Sequence, residues 1–197
     1  MRVFINGFGR IGRSVLRAFL QAPDRWAGLD ITGINDIAAP EMCAWLFEYD
    51  SVFGPWRGSV ALEGGALVVD GRAIPLHRTA DLSVLDLSGV DLVMECTGRA
   101  EAREVAERGL RAGAGRVLIS GPSAAADVTV VMGANEGVLA DQRIVSNASC
   151  TTNALAPLAR LIHERWGIVT GSMTTVHCYT GSQPTVDAPR GDDLARA

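Results

Sequence analysis

The sequence predicts a doubly wound α/β fold on a mixed sheet, followed by the start of an α+β domain, and three observations carry that expectation. A glycine-rich turn formed by Gly7, Gly9 and Gly12 separates a short apolar run from an amphipathic helical pattern. Short apolar runs then alternate with helical patterns along most of the chain, as a sheet covered by helices requires. Late in the chain a second strand-to-helix junction, at Ser149 and Cys150, opens a new set of elements.

Taken in order, residues Arg2 to Asn6 read as a strand, Arg10 to Ala22 as a helix and Leu29 to Asn35 as a second strand, which is a βαβ unit. The helix spacing puts Ile11, Val15, Phe19 and Leu20 on one stripe, directed at the sheet. Val60 to Leu62 and Leu67 to Val69 flank Gly64 and Gly65, and Asp70 and Gly71 mark a further turn, so this segment predicts antiparallel hairpins. Val90 to Glu95 follows as a buried strand, Glu101 to Arg111 as a helix, and Val117 to Ser120, Val128 to Met132 and Ile144 to Ser146 as strands. Beyond them come a helix from Thr151 to Trp166 and a strand over Ser172 to Val176 that ends at His177. The boundary expected is between residues 149 and 150: one domain over 1–149 and the beginning of a second over 150–197.

Composition narrows the chemistry. Hydrophobic residues make up 48% of the 197 and charged residues 20%, the balance of a globular chain able to bury a core. A net charge of −4 with no basic run lacks the footprint of a nucleic-acid or anionic-membrane binder, so small-molecule partners are expected. Every one of the 18 basic side chains is arginine, which excludes a lysine nucleophile or Schiff base. The four cysteines form no CxxC pair and no metal-ligand spacing with His77, His163 and His177, so neither a zinc site nor a disulfide scaffold is expected. No apolar leader or long apolar span occurs, and a cytoplasmic setting with reduced thiols follows.

Gly7, Gly9 and Gly12 form a GxGxxG motif after a strand and before a helix, the context a dinucleotide requires. Gly7 permits the tight turn, Gly9 lets the backbone approach a pyrophosphate at the helix N-terminus, and Gly12 allows helix and strand to pack closely. The second strand ends in Asn35 and Asp36, placing a carboxylate where the adenosine ribose is held. That acid would repel a 2′-phosphate, so a Rossmann-type domain with NAD rather than NADP is expected. Farther on, Cys150 falls at a helix N-terminus, where the dipole and free N–H groups lower a thiol pKa and stabilise an oxyanion. A small buried cysteine flanked by helix caps fits the same position. His177, at the end of the following strand, would form a thiolate–imidazolium pair if the chain brought it back beside that helix.

GFGRIGR (Gly7 to Arg13), Asn35 and Asp36, EYDS (Glu48 to Ser51), SNASCTTN (Ser146 to Asn153) and TTVHCYT (Thr174 to Thr180) together resemble the glyceraldehyde-3-phosphate dehydrogenase family over the whole chain. The resemblance implies NAD as cofactor and glyceraldehyde 3-phosphate and inorganic phosphate as substrates. It further implies attack by Cys150 on the aldehyde with His177 as base, a thioester, and its phosphorolysis to 1,3-bisphosphoglycerate. By motif, Arg10 and Ile11 match the pyrophosphate turn, and Thr97 and Ser120 match contacts along the cofactor cleft. Ser149 and Thr151 match contacts to the attacking phosphate, and Thr180 and Arg196 contacts to the substrate phosphate. Arg99 and Ala100 depart from the family's apolar and aromatic pair, Gly121 from its alanine, and Gly181 from a frequent asparagine. Erythrose-4-phosphate dehydrogenase shares the glycine and cysteine motifs, although HCYTGSQ (His177 to Gln183) favours the triose; a non-catalytic NAD-binding fragment or interaction protein is the reading from another class. The family continues well beyond residue 197, so the sequence is expected to be its N-terminal portion, with the homotetramer typical of the family formed by the longer chain.

Overall fold

The computed structural model describes residues 1–180. Its sheet is assembled from nine strands: β1 (Arg2–Asn6), β2 (Asp30–Asn35), β3 (Val60–Glu63), β4 (Ala66–Val69), β5 (Arg72–His77), β6 (Leu92–Glu95), β7 (Arg116–Ile119), β8 (Val128–Thr129) and β9 (Ile144–Ser146), in the order β3-β4-β5-β2-β1-β6-β7-β9-β8. β5, β2, β1, β6, β7 and β9 run parallel, β8 joins β9 in parallel at one edge, and β3-β4-β5 form an antiparallel ribbon at the other. The strand order reverses between β1 and β6. In open sheets of this kind the crevice beyond the carboxyl ends at that point is where ligands bind.

Strand period places alternate residues of β1 in two separate cores. Val3 and Ile5 pack with Leu16, Phe19, Ile34 and Phe47 on one face, while Phe4 packs with Leu87, Val93, Val117 and Ile144 on the other. Helices α1 (Arg10–Gln21) and α2 (Pro40–Glu48) supply the first core, and α3 (Arg103–Ala106) and α4 (Arg108–Arg111) lie against the second. With both faces covered, the central strands read as continuous apolar runs rather than alternating ones.

The structure departs from expectation at four of the expected elements, and it adds helix α2. On α1 Ile11 is exposed, and the buried stripe contains Leu16, Phe19, Arg13 and Arg17 instead. The two arginines are accommodated because Arg13 donates to the Phe8 carbonyl (3.0 Å) and Arg17 to carbonyls at the end of α2 and just beyond, those of Phe47, Glu48 and Gly54. The expected helix over 101–111 is two short helices parted at Glu107. Gly109 weakens it there, and the absent Cβ lets the backbone press on Val117 and Val93. β8 stops at Thr129 because the Asn135 side chain accepts the Val131 N–H (2.7 Å) in place of a ladder partner. No strand forms over 172–176: residues 167–180 run without regular structure, with Val169 and Val176 almost wholly exposed, because no strand edge lies beside them among the described residues.

Helix α5 (Cys150–Trp166) follows β9, with Leu158, Leu161 and Trp166 exposed along it. Among the described residues no helix is long and apolar enough to cross a membrane.

Candidate active site

At the carboxyl edge of the sheet, each parallel strand hands its last carbonyl to the backbone of its neighbour. Gly7 N–H donates to Asn35 (2.8 Å), Asp36 to His77 (3.1 Å), Cys96 to Asn6 (2.6 Å), Ser120 to Glu95 (3.0 Å) and Asn147 to Ile119 (2.9 Å). The loops carrying the expected cofactor and nucleophile residues are therefore registered on one edge.

The glycines divide the work of the first turn. Gly7 has φ +92°, and a Cβ there would lie 2.6 Å from the Thr97 nitrogen, so the turn needs glycine both for its conformation and for its contact with the β6 loop. At Gly12 a Cβ would fall 2.1 Å from the Gly7 carbonyl oxygen, which is the close packing of helix on turn. Gly9, the residue capping α1, has nothing in front of its missing Cβ; a side chain would fill open space at the helix N-terminus. That clear cradle at a helix N-terminus fits a pyrophosphate.

Asp36 stands at the rim of the same turn. One carboxylate oxygen accepts from Phe8 N–H (2.6 Å) and the other from Ala38 N–H (2.8 Å), leaving lone pairs on both for hydroxyl donors. Asn35 is placed differently. It is buried, with both amide hydrogens given to Asn6 (2.8 Å) and the Thr79 carbonyl (3.0 Å), and its oxygen accepts from Thr79 N–H (2.9 Å). It holds the floor of the crevice rather than presenting groups to it. Asn6 continues the chain to the buried Glu95 (2.5 Å), which in turn accepts from Thr97 through both backbone and hydroxyl. Thr97 is exposed and Ser120 half-buried at the ends of β6 and β7, with the Ser120 hydroxyl directed to Cys96. Ile11 is exposed in the first turn of α1.

Two residues near this edge have roles that the sequence does not assign, although Asp50 lies within the EYDS motif. Arg78 follows β5 and donates to the Ile37 carbonyl (3.1 Å), placing a cation next to the Asp36 loop. Asp50 is buried, pairs with Arg10 at the N-terminus of α1, and accepts from Val52 N–H (2.8 Å) and Phe53 N–H (2.9 Å). Burial alone would push the Asp50 carboxyl up, but Arg10 and the two N–H groups outweigh it and hold the carboxyl below the ordinary aspartate value. A depressed folded value stabilises the protein above the unfolded pKa of about 3.9, and that stability is lost as pH falls through the folded value. Asp50→Ala is therefore expected to lower stability at pH 7 by about 2 kcal/mol, from the unpaired N–H groups and the charge-assisted bond removed. Urea unfolding from pH 7 to 3 checks it: the gap between wild type and variant should narrow on acidification, and a constant gap would show that the carboxylate charge contributes nothing.

The second half of the site is built on α5. Cys150 is its first residue, and Ser149 caps the helix, its hydroxyl accepting from Thr152 N–H (3.1 Å). The Cys150 sulfur lies 3.0 Å from His177 Nε2. His177 Nδ1 contacts the Cys178 carbonyl oxygen, and since a carbonyl only accepts, Nδ1 carries a hydrogen, which leaves Nε2 to share the thiol proton with the sulfur. Nε2 is thus the nitrogen that exchanges a proton with Cys150. The imidazole contact first, then the Thr151 N–H and hydroxyl, lower the thiol pKa, and Cys150 together with the Cys178 carbonyl raises that of His177. Cys43 and Cys96 behave in the opposite way: burial pushes each thiol up to about 12. All four cysteines are free. Thr151 is half-buried beside the sulfur and Thr180 exposed three residues beyond the histidine, whereas Gly181 and Arg196 lie outside the described residues.

Comparison with known proteins places this geometry. Residues 1–103 match the model of the glyceraldehyde 3-phosphate dehydrogenase NAD binding domain, and residues 149–197 that family's C-terminal domain. The chain is 45% identical over 201 residues to a glyceraldehyde-3-phosphate dehydrogenase of Geobacillus stearothermophilus, covering 100% of this chain and 58% of the relative. It is 45% identical over 195 residues to the cytosolic enzyme of that name from Trypanosoma brucei brucei, covering 98% of the chain and 58% of the relative. With the one from Haemophilus influenzae it shares 45% identity over 195 residues, covering 98% and 56%. It thus spans less than two thirds of the length of these curated relatives. The glycine turn, the acid at the end of β2 and the cysteine at the head of α5 all lie within the matched segments, and the chain belongs to the glyceraldehyde 3-phosphate dehydrogenase family.

Proposed function

We propose that this chain carries the cofactor-binding and nucleophile-bearing part of a phosphorylating glyceraldehyde-3-phosphate dehydrogenase, which oxidises glyceraldehyde 3-phosphate to 1,3-bisphosphoglycerate. The observation that carries the reading is the 3.0 Å contact between the Cys150 sulfur at a helix N-terminus and His177 Nε2. The domain boundary falls between residues 149 and 150.

Gly7, Gly9, Arg10, Ile11 and Gly12 hold the pyrophosphate, Asp36 the adenosine ribose, and Thr97 and Ser120 line the cleft above the Asn6, Asn35 and Glu95 floor. NAD, when bound, supplies the hydride acceptor that turns a hemithioacetal into a thioester. The Cys150 thiolate forms the carbon–sulfur bond to the aldehyde, and the carbonyl electrons move to oxygen, which takes the proton from the His177 imidazolium. The α5 N–H groups offset the charge that develops there. His177, now neutral, removes the same hydroxyl proton during oxidation. A phosphate oxygen then attacks the acyl carbon and Cys150 departs as thiolate. Ser149 and Thr151 hydroxyls serve that phosphate, and Thr180 and Arg196 the phosphate on the substrate.

The free thiols favour a reducing compartment, and the trypanosomal relative is designated cytosolic, which supports a cytoplasmic setting. The exposed apolar residues of α5 call for cover of the kind that a longer chain and a homotetramer supply. The deciding assay follows NADH formation by the whole protein with glyceraldehyde 3-phosphate, with and without inorganic phosphate. Turnover requiring both, and absent in Cys150→Ser, is expected; turnover independent of phosphate or retained in that variant would overturn the assignment.

A further inference from the structure

Ser146 ends β9 and is fully buried, four residues before the nucleophile. Its hydroxyl donates to the Gly121 carbonyl (2.8 Å) and accepts from the Ala148 N–H (3.1 Å). Gly121 follows Ser120 at the end of β7, on the cofactor side of the edge; Ala148 precedes Ser149 and Cys150, on the nucleophile side. One oxygen atom thus ties the two halves of the site together.

Ala148 has φ +59°, and its side chain is buried. A residue with a Cβ disfavours this left-handed conformation, so something must hold it there. Other bonds shape the same turn but leave the Ala148 N–H untouched. Asn147 N–H donates to Ile119 (2.9 Å), and the Asn153 amide reaches back from the first turn of α5 to the carbonyls of Asn147 (2.7 Å) and Ser149 (3.0 Å). Only the Ser146 hydroxyl satisfies that N–H among the hydrogen bonds of residues 146–153, and a buried N–H left unpaired drives the backbone to another conformation.

We propose that Ser146 is a positioning residue for the nucleophile: its hydroxyl holds Ala148 in the left-handed conformation and so aims Cys150 at His177, in register with the Ser120–Gly121 loop. The proposal rests on the reading of Cys150 as the nucleophile. Relaxation of residue 148 would swing the first turn of α5, and a displacement of about 1 Å at a reacting group costs up to 10²-fold in rate. A glycine at 148 has no such conformational preference, and there the serine should become dispensable.

The test measures the pH dependence of iodoacetamide alkylation at Cys150 by peptide mapping, in wild type, Ser146→Ala and the double variant Ser146→Ala/Ala148→Gly. Labelling of the buried Cys43 under native conditions reports unfolding. In Ser146→Ala, alkylation at pH 7 should slow by on the order of tenfold with its midpoint moved toward ordinary thiols, and the double variant should recover most of the loss. A wild-type profile in Ser146→Ala, or no recovery in the double variant, overturns the proposal. If the single variant exposes Cys43, the double variant decides alone, since loss of packing would not be repaired by a glycine two residues away. Wild-type protein in which Cys150 is not the preferred thiol would instead refute the nucleophile assignment itself.

Discussion

His177→Ala is expected to slow iodoacetamide alkylation of Cys150 at pH 7 by on the order of tenfold and to lower kcat/KM of the whole enzyme by about 10²–10⁴-fold. The two numbers differ because imidazole does two things. It stabilises the thiolate through the 3.0 Å contact, and without it the thiol value rises back toward that of an ordinary thiol, so less thiolate is present at neutral pH. Part of that loss is offset, since a more basic thiolate is the better nucleophile. Turnover also needs a proton acceptor at the substrate oxygen, which alanine does not supply. The sign of the pH dependence follows from the directions of the shifts. The Cys150 value is lowered and the His177 value raised, so alkylation rises through a thiol value below the usual range and then levels off. In His177→Ala the rise should move to higher pH. Cys43 and Cys96, pushed up to about 12 by burial, should stay unlabelled in the native protein. Preferential labelling at Cys178, or a variant profile equal to wild type, would remove His177 from the role of activating base.

Calorimetry should find NAD bound at least about tenfold more tightly than NADP, equivalent to about 1.4 kcal/mol. The carboxylate of Asp36 cannot swing away from a 2′-phosphate, because Phe8 N–H holds one oxygen at 2.6 Å and Ala38 N–H the other at 2.8 Å. Two unit charges about 4 Å apart near a protein surface repel by about 4 kcal/mol, which Arg78 beside the loop offsets in part. Asp36→Asn keeps an acceptor for Phe8 and discards the charge, so it should narrow the preference mainly by strengthening NADP. Equal affinities in the wild type, or an unchanged ratio in Asp36→Asn, would show that the acid does not face the ribose.

Elements whose signal is local were legible in the residues. The turn at Gly7 to Gly12 announces itself because a positive φ and two sub-3 Å approaches tolerate no side chain, and strand, turn and helix follow one another within a few residues. Cys150 at a helix start is equally local, since Ser149 caps the helix that Cys150 begins. Helix α2, which the sequence expectations leave out, carries a local signal too, with Pro40 at its first position and Met42, Cys43, Leu46 and Phe47 at helical spacing.

What depends on distant partners was not legible. Periodicity assigns Ile11 to the inner face of α1 and cannot foresee that Arg13 and Arg17 take that face, because the carbonyls that neutralise their burial come from Phe8 and from the end of another helix. Asn35 reads as a cofactor contact beside Asp36, but the fold spends its amide on Asn6 and Thr79. The apolar run before His177 has strand composition and forms no strand, since a strand exists only through a neighbour's hydrogen bonds and none of the described strands lies beside it. By itself, then, the sequence determined the turn chemistry, the starts of α1 and α5, and the family. The tertiary structure alone decided which polar groups are consumed in holding the sheet edge and which face the crevice, because each buried donor and acceptor must find its partner among residues far away in the chain.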